Sequence, residues 1–263
     1  MTDEIRMQAL LDFALDAAWQ AGRVTLGHYQ RGVTAERKAD NSPVTVADRE
    51  AEQLLRALIA RYWPEHGVLG EEYGRSAADA PYTWIIDPID GTKSFMAGVP
   101  LYANLLALTH HGQPLLGVAN FPALGEMVYA TRGGGCFWNG RRAHVSAVDR
   151  LADARLLTSE LNHYGARQPV WDRLVAATYF QRTWGDAYGY FLVATGRAEI
   201  MLDPAMALWD CGPLQLILEE AGGTFTDWQG TPTIYNNESV ATNGRLFAPV
   251  MEIVRAVKKE GSV

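Results

Sequence analysis

The sequence is poor in cysteine and in long apolar runs. Its 263 residues include two cysteines, Cys136 and Cys211, which are too few for a disulfide framework or a cysteine-based zinc site. No window approaches the roughly 20 apolar residues of a membrane span, and the N-terminal segment lacks the basic stretch and apolar core of a secretory signal. These absences predict a cytoplasmic protein with reduced thiols and no membrane partner.

Positive charge is also scarce. The chain has 23 Lys and Arg against 30 Asp and Glu, a formal net charge of −7. Because binding to nucleic acid relies on basic side chains that neutralise phosphates, nucleic acid is not expected as a partner. Hydrophobic residues make up 48% of the chain, so it can bury a substantial core and is not disordered.

The two halves of the chain differ in their patterns. Helical spacing of apolar residues at 7–24 and after residue 45 is followed by short strands, and tight turns between the strands of 101–146 predict antiparallel pairing. Beyond residue 149 strands alternate with helices, which indicates a more parallel sheet. We predict an α/β (α+β) fold with an N-terminal metal-binding lobe (1–149), built on a mainly antiparallel sheet, and a C-terminal lobe (150–263), built on a smaller mixed or parallel sheet. Helices are layered on both sheets.

The strongest chemical signal is the run WIIDPIDGT at residues 84–92. An apolar strand leads to Asp87, Pro88 interrupts it, and Asp90 follows three residues later, so a turn can direct both carboxylates into one space. The turn would also expose the carbonyl oxygen of Ile89. Because neighbouring buried carboxylates are costly without a cation, and oxygen ligands without His or Cys suit Mg²⁺, the run indicates a magnesium site.

Gly91 and Thr92 open a short helical turn after these carboxylates. Free N–H groups at such a turn favour phosphate, and Thr92 is placed to orient a water molecule. Cations beside a phosphate site form a phosphoryl-transfer centre in which metal-bound water is the nucleophile. Taken alone, Asp-Pro-x-Asp-Gly is equally compatible with an acidic surface turn.

Further acidic residues occupy positions that suit the same site. Glu71 and Glu72 follow a short strand, Asp210 begins a helix, and Asp48 lies in the first turn of another helix. Each has a structural alternative, since loop acids are commonly solvated and acids at helix N-termini commonly act as caps. They carry weight only in combination.

In combination these segments resemble the inositol monophosphatase-like family of the fructose-1,6-bisphosphatase superfamily. The resemblance covers most of the chain. The matching segments, in order, are DNSPVTVAD at 40–48, Gly70-Glu71-Glu72, WIIDPIDGT at 84–92, and Trp209-Asp210 followed by EEAGG at 219–223. It implies a layered αβαβα sandwich, a homodimer, and a Mg²⁺-dependent phosphomonoesterase that forms no covalent phosphoenzyme.

The resemblance also implies roles for individual residues. Two Mg²⁺ ions, with room for a third, weaker one, would be held by Glu71, Asp87, the Ile89 carbonyl oxygen, Asp90 and Asp210, with Asp87 shared between the first two. The attacking water would be positioned and activated by Glu72, Thr92 and Asp48. The substrate phosphate would lie over Asp90, Gly91 and Thr92.

Within this family, three stretches resemble the histidinol-phosphate phosphatases: GTKSFMAGVP at 91–100, RTWGDAYGY at 182–190 and IMLDPAMALWD at 200–210. The implied reaction is hydrolysis of L-histidinol phosphate to L-histidinol in histidine biosynthesis. Asp186 and Asp203, together with Asp210, would surround the leaving group and pair with its ammonium. Asp186 and Asp203 are also compatible with a helix cap and a strand-ending turn. Arg182 would steady the phosphate or the pocket wall.

Other functions compete with this one. Carboxylates also accept hydrogen bonds from polyol hydroxyls, so inositol 1-phosphate or a related sugar or nucleotide phosphate is an alternative substrate. A second alternative is a non-catalytic regulatory or binding protein on the same fold. Cys136 and Arg142 match the Cys-x5-Arg spacing of cysteine-dependent phosphatases, but strand and hairpin signals stand where that chemistry needs a helix.

Overall fold

The computed structural model of the chain describes residues 3–38 and 43–260. Its α-helices in that range are α1 (Asp3–His28), α2 (Val46–Tyr62), α3 (Thr92–Ala97), α4 (Gln168–Ala177), α5 (Asp186–Ala194), α6 (Leu208–Glu220) and α7 (Phe247–Glu260). Short 3₁₀ turns occupy Leu151–Asp153, Leu161–His163 and Gly165–Arg167. Within these described ranges, no helix combines the length and the apolar character needed to cross a membrane.

The strands form three sheets. Those of the small N-terminal pair are β1 (Glu36–Arg37) and β2 (Pro43–Val44). Those of the large sheet are β3 (Gly67–Gly70), β4 (Gly74–Ser76), β5 (Tyr82–Asp90), β6 (Ala103–His110), β7 (Gln113–Phe121), β8 (Glu126–Thr131), β9 (Gly135–Trp138) and β10 (Arg141–Arg142). Those of the C-terminal sheet are β11 (Arg155–Thr158), β12 (Phe180–Arg182), β13 (Ile200–Asp203), β14 (Thr224–Thr226) and β15 (Ser239–Thr242).

The large sheet has eight strands in the order β10-β9-β8-β7-β6-β5-β3-β4. Neighbouring strands pair antiparallel except β3 and β5, which are parallel. Because β3 and β5 run in the same direction, their C-terminal ends lie at the same edge. Glu71, which follows β3, and Asp87, near the end of β5, are therefore brought to that edge.

The C-terminal sheet has five strands in the order β12-β11-β13-β15-β14. The pairs of β11 with β12 and with β13 are parallel, and the remaining pairs are antiparallel. The predicted mixed sheet is confirmed. β11 and β13 end beside each other, so Ser159 and Asp203 meet at one edge of this sheet.

Packing places these elements in five layers. Helices α1 and α2 cover one face of the large sheet around Trp84. Helices α5 and α6 lie between the two sheets, in a core that draws on both. Helices α4 and α7 cover the outer face of the C-terminal sheet. The predicted αβαβα sandwich is confirmed, and the inner helix layer carries Asp186 and Asp210 at its helix N-termini.

A few elements differ from the sequence-based expectation. The strand expected at 142–146 is limited to β10, and the side chain of Asn243 donates instead to the carbonyl oxygens of Ser146 and Val148, at 3.3 and 2.7 Å. Strands β4 and β12 were not expected. β4 is exposed and consists of Gly-Arg-Ser, and β12 is an exposed edge strand, so neither shows the apolar alternation that marks a half-buried strand.

Candidate active site

Three carboxylates from distant parts of the chain converge at the edge of the large sheet. Oxygen atoms of Asp87, Asp90 and Asp210 all lie within 4.8 Å of one another. β5 continues through Asp90, with an irregular register between Asp87 and Asp90 that follows from Pro88, which has no N–H to donate. Asp210 comes from the first turn of α6 in the layer above. The sequence-predicted pair is thus brought together with its distant partner.

Each of the three carboxylates is oriented by a backbone N–H. Ile89 N donates to Asp87 Oδ1 at 2.9 Å, and Ala207 N donates to Asp210 Oδ2 at 2.7 Å. Asp90 Oδ2 accepts from Ala187 N, at the start of α5, at 2.6 Å. The N-terminus of α5 therefore anchors a carboxylate that lies 97 positions away in sequence.

Among the described residues, these three groups have no cationic partner. No ion pair formed between described residues includes Asp87, Asp90 or Asp210. Burial, followed by the charges of neighbouring acids, raises the pKa of Asp87 and Asp90 well above the usual range. Burial raises the pKa of Asp210 to about 6. Converging hard oxygen donors without a Lys, Arg, His or Cys partner fit a divalent cation of the Mg²⁺ type.

Glu71 and Glu72 differ because a lysine lies between them. Lys38 Nζ is 2.7 Å from Glu71 Oε1 and 2.6 Å from Glu72 Oε1. Burial raises the pKa of Glu71 to about 7, against the opposing effect of Lys38. Burial raises the pKa of Glu72 as well. Gly70 is needed here because a β-carbon at its position would lie 2.0 Å from Glu52 Oε1, and Glu52 Oε2 accepts from Glu72 N at 2.7 Å.

Asp48 and Thr92 meet beside the Ile89 carbonyl group. Asp48 takes part in a capping box at the start of α2, where its Oδ2 accepts from Thr45 N at 2.8 Å. The Thr92 hydroxyl donates to the Ile89 carbonyl oxygen at 3.0 Å and lies 3.5 Å from Asp48 Oδ1. Burial raises the pKa of Asp48. Asp48 therefore caps α2 and also lies next to the candidate site.

Gly91 lies between this carboxylate cluster and Asp186. Gly91 directly precedes α3, and its φ of 80° lies in the left-handed region that favours glycine. A β-carbon at residue 91 would also lie 2.9 Å from Asp186 Oδ2. A side chain here would both strain the backbone and displace Asp186.

Two neighbouring cavities open beside these residues. The first, of about 110 Å³, is lined by Asp90, Ser159, Glu160, His163, Asp186, Ala187, Tyr190, Asp203, Pro204, Ala205, Met206, Asp210 and Leu214. The second, of about 420 Å³, includes Glu71, Gly91, Thr92, Lys93, Ser94, Glu160, Asp186 and Asp210 in its lining. Asp186 and Asp210 border both cavities. The residues predicted for phosphate and for leaving group therefore lie on adjoining walls.

Asp186 and Asp203 have different surroundings within the first cavity. Asp203 is 3% exposed, and burial raises its pKa to about 7 despite hydrogen bonds from Ser159 and Tyr190. Asp186 begins α5 with a left-handed φ of 52°, and its N–H donates to the Ser159 hydroxyl at 2.8 Å. Burial, then the charges of Asp210 and Glu160, raises the pKa of Asp186 to about 6.

Arg182 is not brought to these residues. It is exposed, its guanidinium lies 5.3 Å from the Phe180 ring centroid, and its Nη1 donates to the Gln181 carbonyl oxygen at 2.7 Å. Across the described residues, Thr183 and Gly185 reach the second cavity and Arg182 does not. Its role in substrate binding stays a prediction. Asp40, Asn41 and Ser42 of the first matching segment lie outside the described residues.

Several residues at the site were not found from the sequence. Ser159 and Glu160 follow β11, and Lys38 lies between the two glutamates. A position at the end of a predicted strand is the sequence feature that marked Glu71 and Asp87 as candidate site residues. Ser159 and Glu160 have the same feature, because they follow β11. No sequence signal marks Lys38, because its role depends on contacts with Glu71 and Glu72, which lie 33 and 34 positions away.

Cys136 does not form a cysteine-phosphatase loop with Arg142. The two residues belong to β9 and β10, which pair as an antiparallel hairpin, with Arg142 opposite Phe137. Cys136 is fully buried, and burial raises the pKa of its thiol to about 12. A thiol in this state is not a nucleophile at neutral pH.

Comparison with known proteins gives a consistent result. The family model of the inositol monophosphatase family matches residues 6–259. The histidinol-phosphatase of Chlorobaculum parvum is 42% identical over 236 residues, 88% of this chain and 91% of that protein. The histidinol-phosphatase of Mycobacterium tuberculosis is 39% identical over 249 residues, 92% of this chain and 95% of that protein. Among solved structures, the Thermotoga maritima IMPase superposes with a TM-score of 0.88 at 29% identity, covering 96% of this chain and 99% of that one.

The chain belongs to the inositol monophosphatase family. The predicted family is confirmed, as is the prediction of a phosphomonoesterase at the level of that family. Within the described residues, the carboxylates of Asp87, Asp90 and Asp210 form an acidic cluster that could hold a metal ion.

Proposed function

We propose that the protein is a Mg²⁺-dependent phosphatase that hydrolyses L-histidinol phosphate to L-histidinol. The observation that supports this substrate is the lining of the first cavity. Beside Asp90 and Asp210, whose charge the metal would offset, the lining contains the carboxylates of Glu160, Asp186 and Asp203 and no lysine or arginine. A cavity of this charge favours a leaving group that carries an ammonium. The two histidinol-phosphatases, at 42% and 39% identity, support the same choice.

The proposed metal ligands are Glu71, Asp87, the Ile89 carbonyl oxygen, Asp90 and Asp210, for two or three Mg²⁺ ions. When bound, Mg²⁺ would lower the pKa of a water molecule, offset the phosphate charge and stabilise the leaving alkoxide. The chain's own contribution is to hold these oxygens in place. Backbone N–H groups of Ile89, Ala187 and Ala207 fix the carboxylates before any ligand arrives.

Glu72, Thr92 and Asp48 are the proposed water-orienting group. The Thr92 hydroxyl donates its hydrogen to the Ile89 carbonyl oxygen and lies beside Asp48, so its lone pairs stay available to accept from a water molecule. Burial raises the pKa of Glu72, which makes this carboxylate a better proton acceptor than a solvated glutamate. The substrate phosphate would lie over Asp90, Gly91 and Thr92, where Gly91 leaves the space that a side chain would fill.

The leaving group is proposed to occupy the first cavity, near Asp186, Asp203 and Asp210. The predicted role of Arg182, in steadying the phosphate or the pocket wall, stays a prediction, because this residue lines neither cavity. The N-terminal lobe (1–149) supplies most metal ligands and the C-terminal lobe (150–263) completes the site. We further propose that the protein acts in the cytoplasm as a homodimer, as the family resemblance implies, with the sedimentation coefficient of the purified protein as the test of the dimer.

A second substrate class has one observation in its favour. The chain superposes on an IMPase over nearly its full length, and carboxylates accept hydrogen bonds from polyol hydroxyls as well as from ammonium groups. Inositol 1-phosphate, or a related sugar or nucleotide phosphate, is therefore the competing substrate. A non-catalytic binding protein is the remaining alternative, and it predicts no turnover at all.

The experiment is a substrate panel with and without Mg²⁺. Phosphate release is measured from L-histidinol phosphate, inositol 1-phosphate, fructose 1,6-bisphosphate and adenosine 3′,5′-bisphosphate. We expect kcat/KM for L-histidinol phosphate to exceed the others by about 100-fold, since a site built for a polar group discriminates strongly against ligands that lack it. A higher kcat/KM for inositol 1-phosphate would overturn the assignment of L-histidinol phosphate as the substrate. A folded protein that releases phosphate from none of the four compounds would favour the non-catalytic binding protein.

A further inference from the structure

The carboxylates of the first cavity are not equally available to a ligand. Asp203 Oδ1 accepts from Ser159 N at 3.0 Å, and its Oδ2 accepts from the Ser159 hydroxyl at 2.9 Å and from the Tyr190 hydroxyl at 2.8 Å. A carboxylate has about four acceptor positions, so Asp203 has most of its capacity occupied. Its internal contacts make it part of the cavity wall.

The Asp186 carboxylate, unlike that of Asp203, has its acceptor positions free of donors from the described residues. The Asp186 backbone N–H is bound to the Ser159 hydroxyl, but the carboxylate accepts no hydrogen bond from the described residues while bordering both cavities. The Asp186 Oδ2 atom faces Gly91, at the border between the phosphate side and the leaving-group side. A partly exposed carboxylate without an internal donor at this border is available to a ligand that supplies positive charge or hydrogen-bond donors.

Glu160 is the second available carboxylate of this cavity. Its side chain is 32% exposed, and it borders both cavities, as Asp186 does. The Lys93 ammonium, from α3 on the opposite lobe, is in close contact with Glu160 Oε1, and His163 Nε2 lies 3.5 Å from Oε2. Glu160 thus already binds an ammonium group, in the form of a lysine side chain.

The contact between Lys93 and Glu160 is easily exchanged. The Lys93 side chain is 68% exposed, and an exposed ion pair of this kind contributes little to stability because water competes for both charges. A ligand ammonium that enters the less exposed cavity would compete favourably with Lys93 for the carboxylate.

Ser159 fixes the relation between Glu160 and Asp186. It directly precedes Glu160, and its hydroxyl donates to Asp203 while accepting from Asp186 N. Gly185 permits this approach, because a β-carbon at that position would lie 2.2 Å from Ser159 Cα. The two available carboxylates are therefore held on adjacent segments by one hydroxyl group.

We propose that Glu160 and Asp186 together bind the cationic group of the substrate's alcohol portion, and that Glu160 determines the preference for an amine-bearing substrate. Lys93 occupies Glu160 until the substrate replaces it. This assigns to Glu160 the direct contact that the sequence suggested for Asp203. The proposal rests on the proposed phosphatase function and specifies how that function selects its substrate.

The test compares Glu160→Gln with the wild type on two substrates in the presence of Mg²⁺. We expect the ratio of kcat/KM for L-histidinol phosphate to kcat/KM for inositol 1-phosphate to fall about 10-fold to 100-fold, as expected when one charged hydrogen-bond partner is lost. Asp153→Asn is the matched control, because Asp153 pairs with Arg150 at 2.7 Å and precedes β11, whereas Glu160 follows it. The control should leave the ratio unchanged.

Binding of L-histidinol, measured by calorimetry with Mg²⁺ present, provides a readout apart from turnover. Glu160→Gln should weaken this binding by a similar factor and Asp153→Asn should not. An unchanged ratio together with unchanged L-histidinol binding in Glu160→Gln would overturn the proposal, as would loss of the preference in Asp203→Asn alone. If the wild type released phosphate from neither substrate, the proposed function would fail, and the calorimetric comparison would still decide whether Glu160 binds the amine.

Discussion

Asp87 and Asp227 are equally buried, each 2% exposed, yet their surroundings are opposite. Asp227 Oδ1 accepts from Gln229 N and Thr231 N, each at 2.8 Å, and its Oδ2 accepts from Asn236 Nδ2 at 2.7 Å. Asp87 accepts a single backbone N–H and faces further carboxylates. Buried acids in proteins are normally satisfied by donors, so Asp227 fulfils a structural rule that Asp87 breaks.

We propose that this difference separates acids that stabilise the fold from acids that bind a ligand. Glu52, which is fully buried, resembles Asp227, since it accepts from Arg56 Nε at 2.7 Å and from the N–H groups of Glu72 and Tyr73 at 2.7 and 3.2 Å. Among the described residues, Asp87, Asp90 and Asp210 each accept a single backbone N–H and pair with no cationic side chain, so each keeps free oxygen atoms. Burial alone does not identify a functional acid; the shortage of donors does.

The largest expected effect is that of Asp90→Asn on turnover. The substitution removes a charged metal ligand while the amide oxygen can still accept from Ala187 N. We expect kcat with L-histidinol phosphate to fall about 1000-fold, because the metals supply most of the electrostatic stabilisation. The free energy of unfolding of the metal-free protein should not fall, since the substitution removes a buried charge that lies beside other carboxylates. A turnover within about threefold of wild type would contradict the assignment.

Asp227→Ala should show the reverse pattern. It leaves two backbone N–H groups and one amide without an acceptor, so we expect the free energy of unfolding to fall by about 3 kcal/mol. Urea unfolding measures this loss, and kcat per folded molecule should match the wild type. If Asp227→Ala abolished turnover without loss of stability, the comparison between structural and ligand-binding acids would be wrong.

The third effect concerns pH. Burial raises the pKa of Glu71 to about 7 and that of Asp210 to about 6 in the metal-free protein, above their values in the unfolded chain. The folded state therefore binds more protons, so these groups favour folding at low pH and this contribution is lost as pH rises through the folded values. Mg²⁺ requires the deprotonated carboxylates, so its affinity should rise over the same window.

Thermal unfolding with and without Mg²⁺ measures this dependence. The increase in Tm caused by Mg²⁺ should be small at about pH 5 and largest at about pH 8. Asp227→Ala serves as the control, because it should lower Tm equally with and without the ion. A Mg²⁺ effect that is independent of pH would contradict the account of Glu71 and Asp210.

The smallest expected effect is that of Cys136→Ser. The thiol is buried in β9, so kcat should change by less than about twofold. Turnover measured before and after addition of EDTA completes the test. Loss of activity in Cys136→Ser, with an EDTA-resistant wild type, would replace the metal mechanism with a cysteine nucleophile.

The sequence predicted the site where local signals were strong. The turn after an apolar strand pointed to Asp87 and Asp90, whereas local signals at Glu71 and Asp210 were equally compatible with a solvated loop acid and a helix cap. The family resemblance joined the four into one predicted site, and Asp87, Asp90 and Asp210 do converge. The division into two differently patterned sheets followed from the change near residue 149.

The rest of the site depends on packing between distant segments. The contact of Ala187 N with Asp90 and the contact of Lys93 with Glu160 join the two lobes, and no local pattern encodes either. The number of donors around Asp203 is likewise set by β11, α5 and β13 together. For this reason the sequence placed Asp203 among the substrate contacts and did not single out Glu160.

The central claim is that the donor-poor carboxylates bind the cations on which turnover depends. The most direct measurement follows phosphate release from L-histidinol phosphate in one sample as Mg²⁺ is removed by a chelator and then restored in excess. The account predicts that release falls to background without the ion and returns fully with it. Undiminished release from protein shown to contain no bound divalent metal would contradict the account.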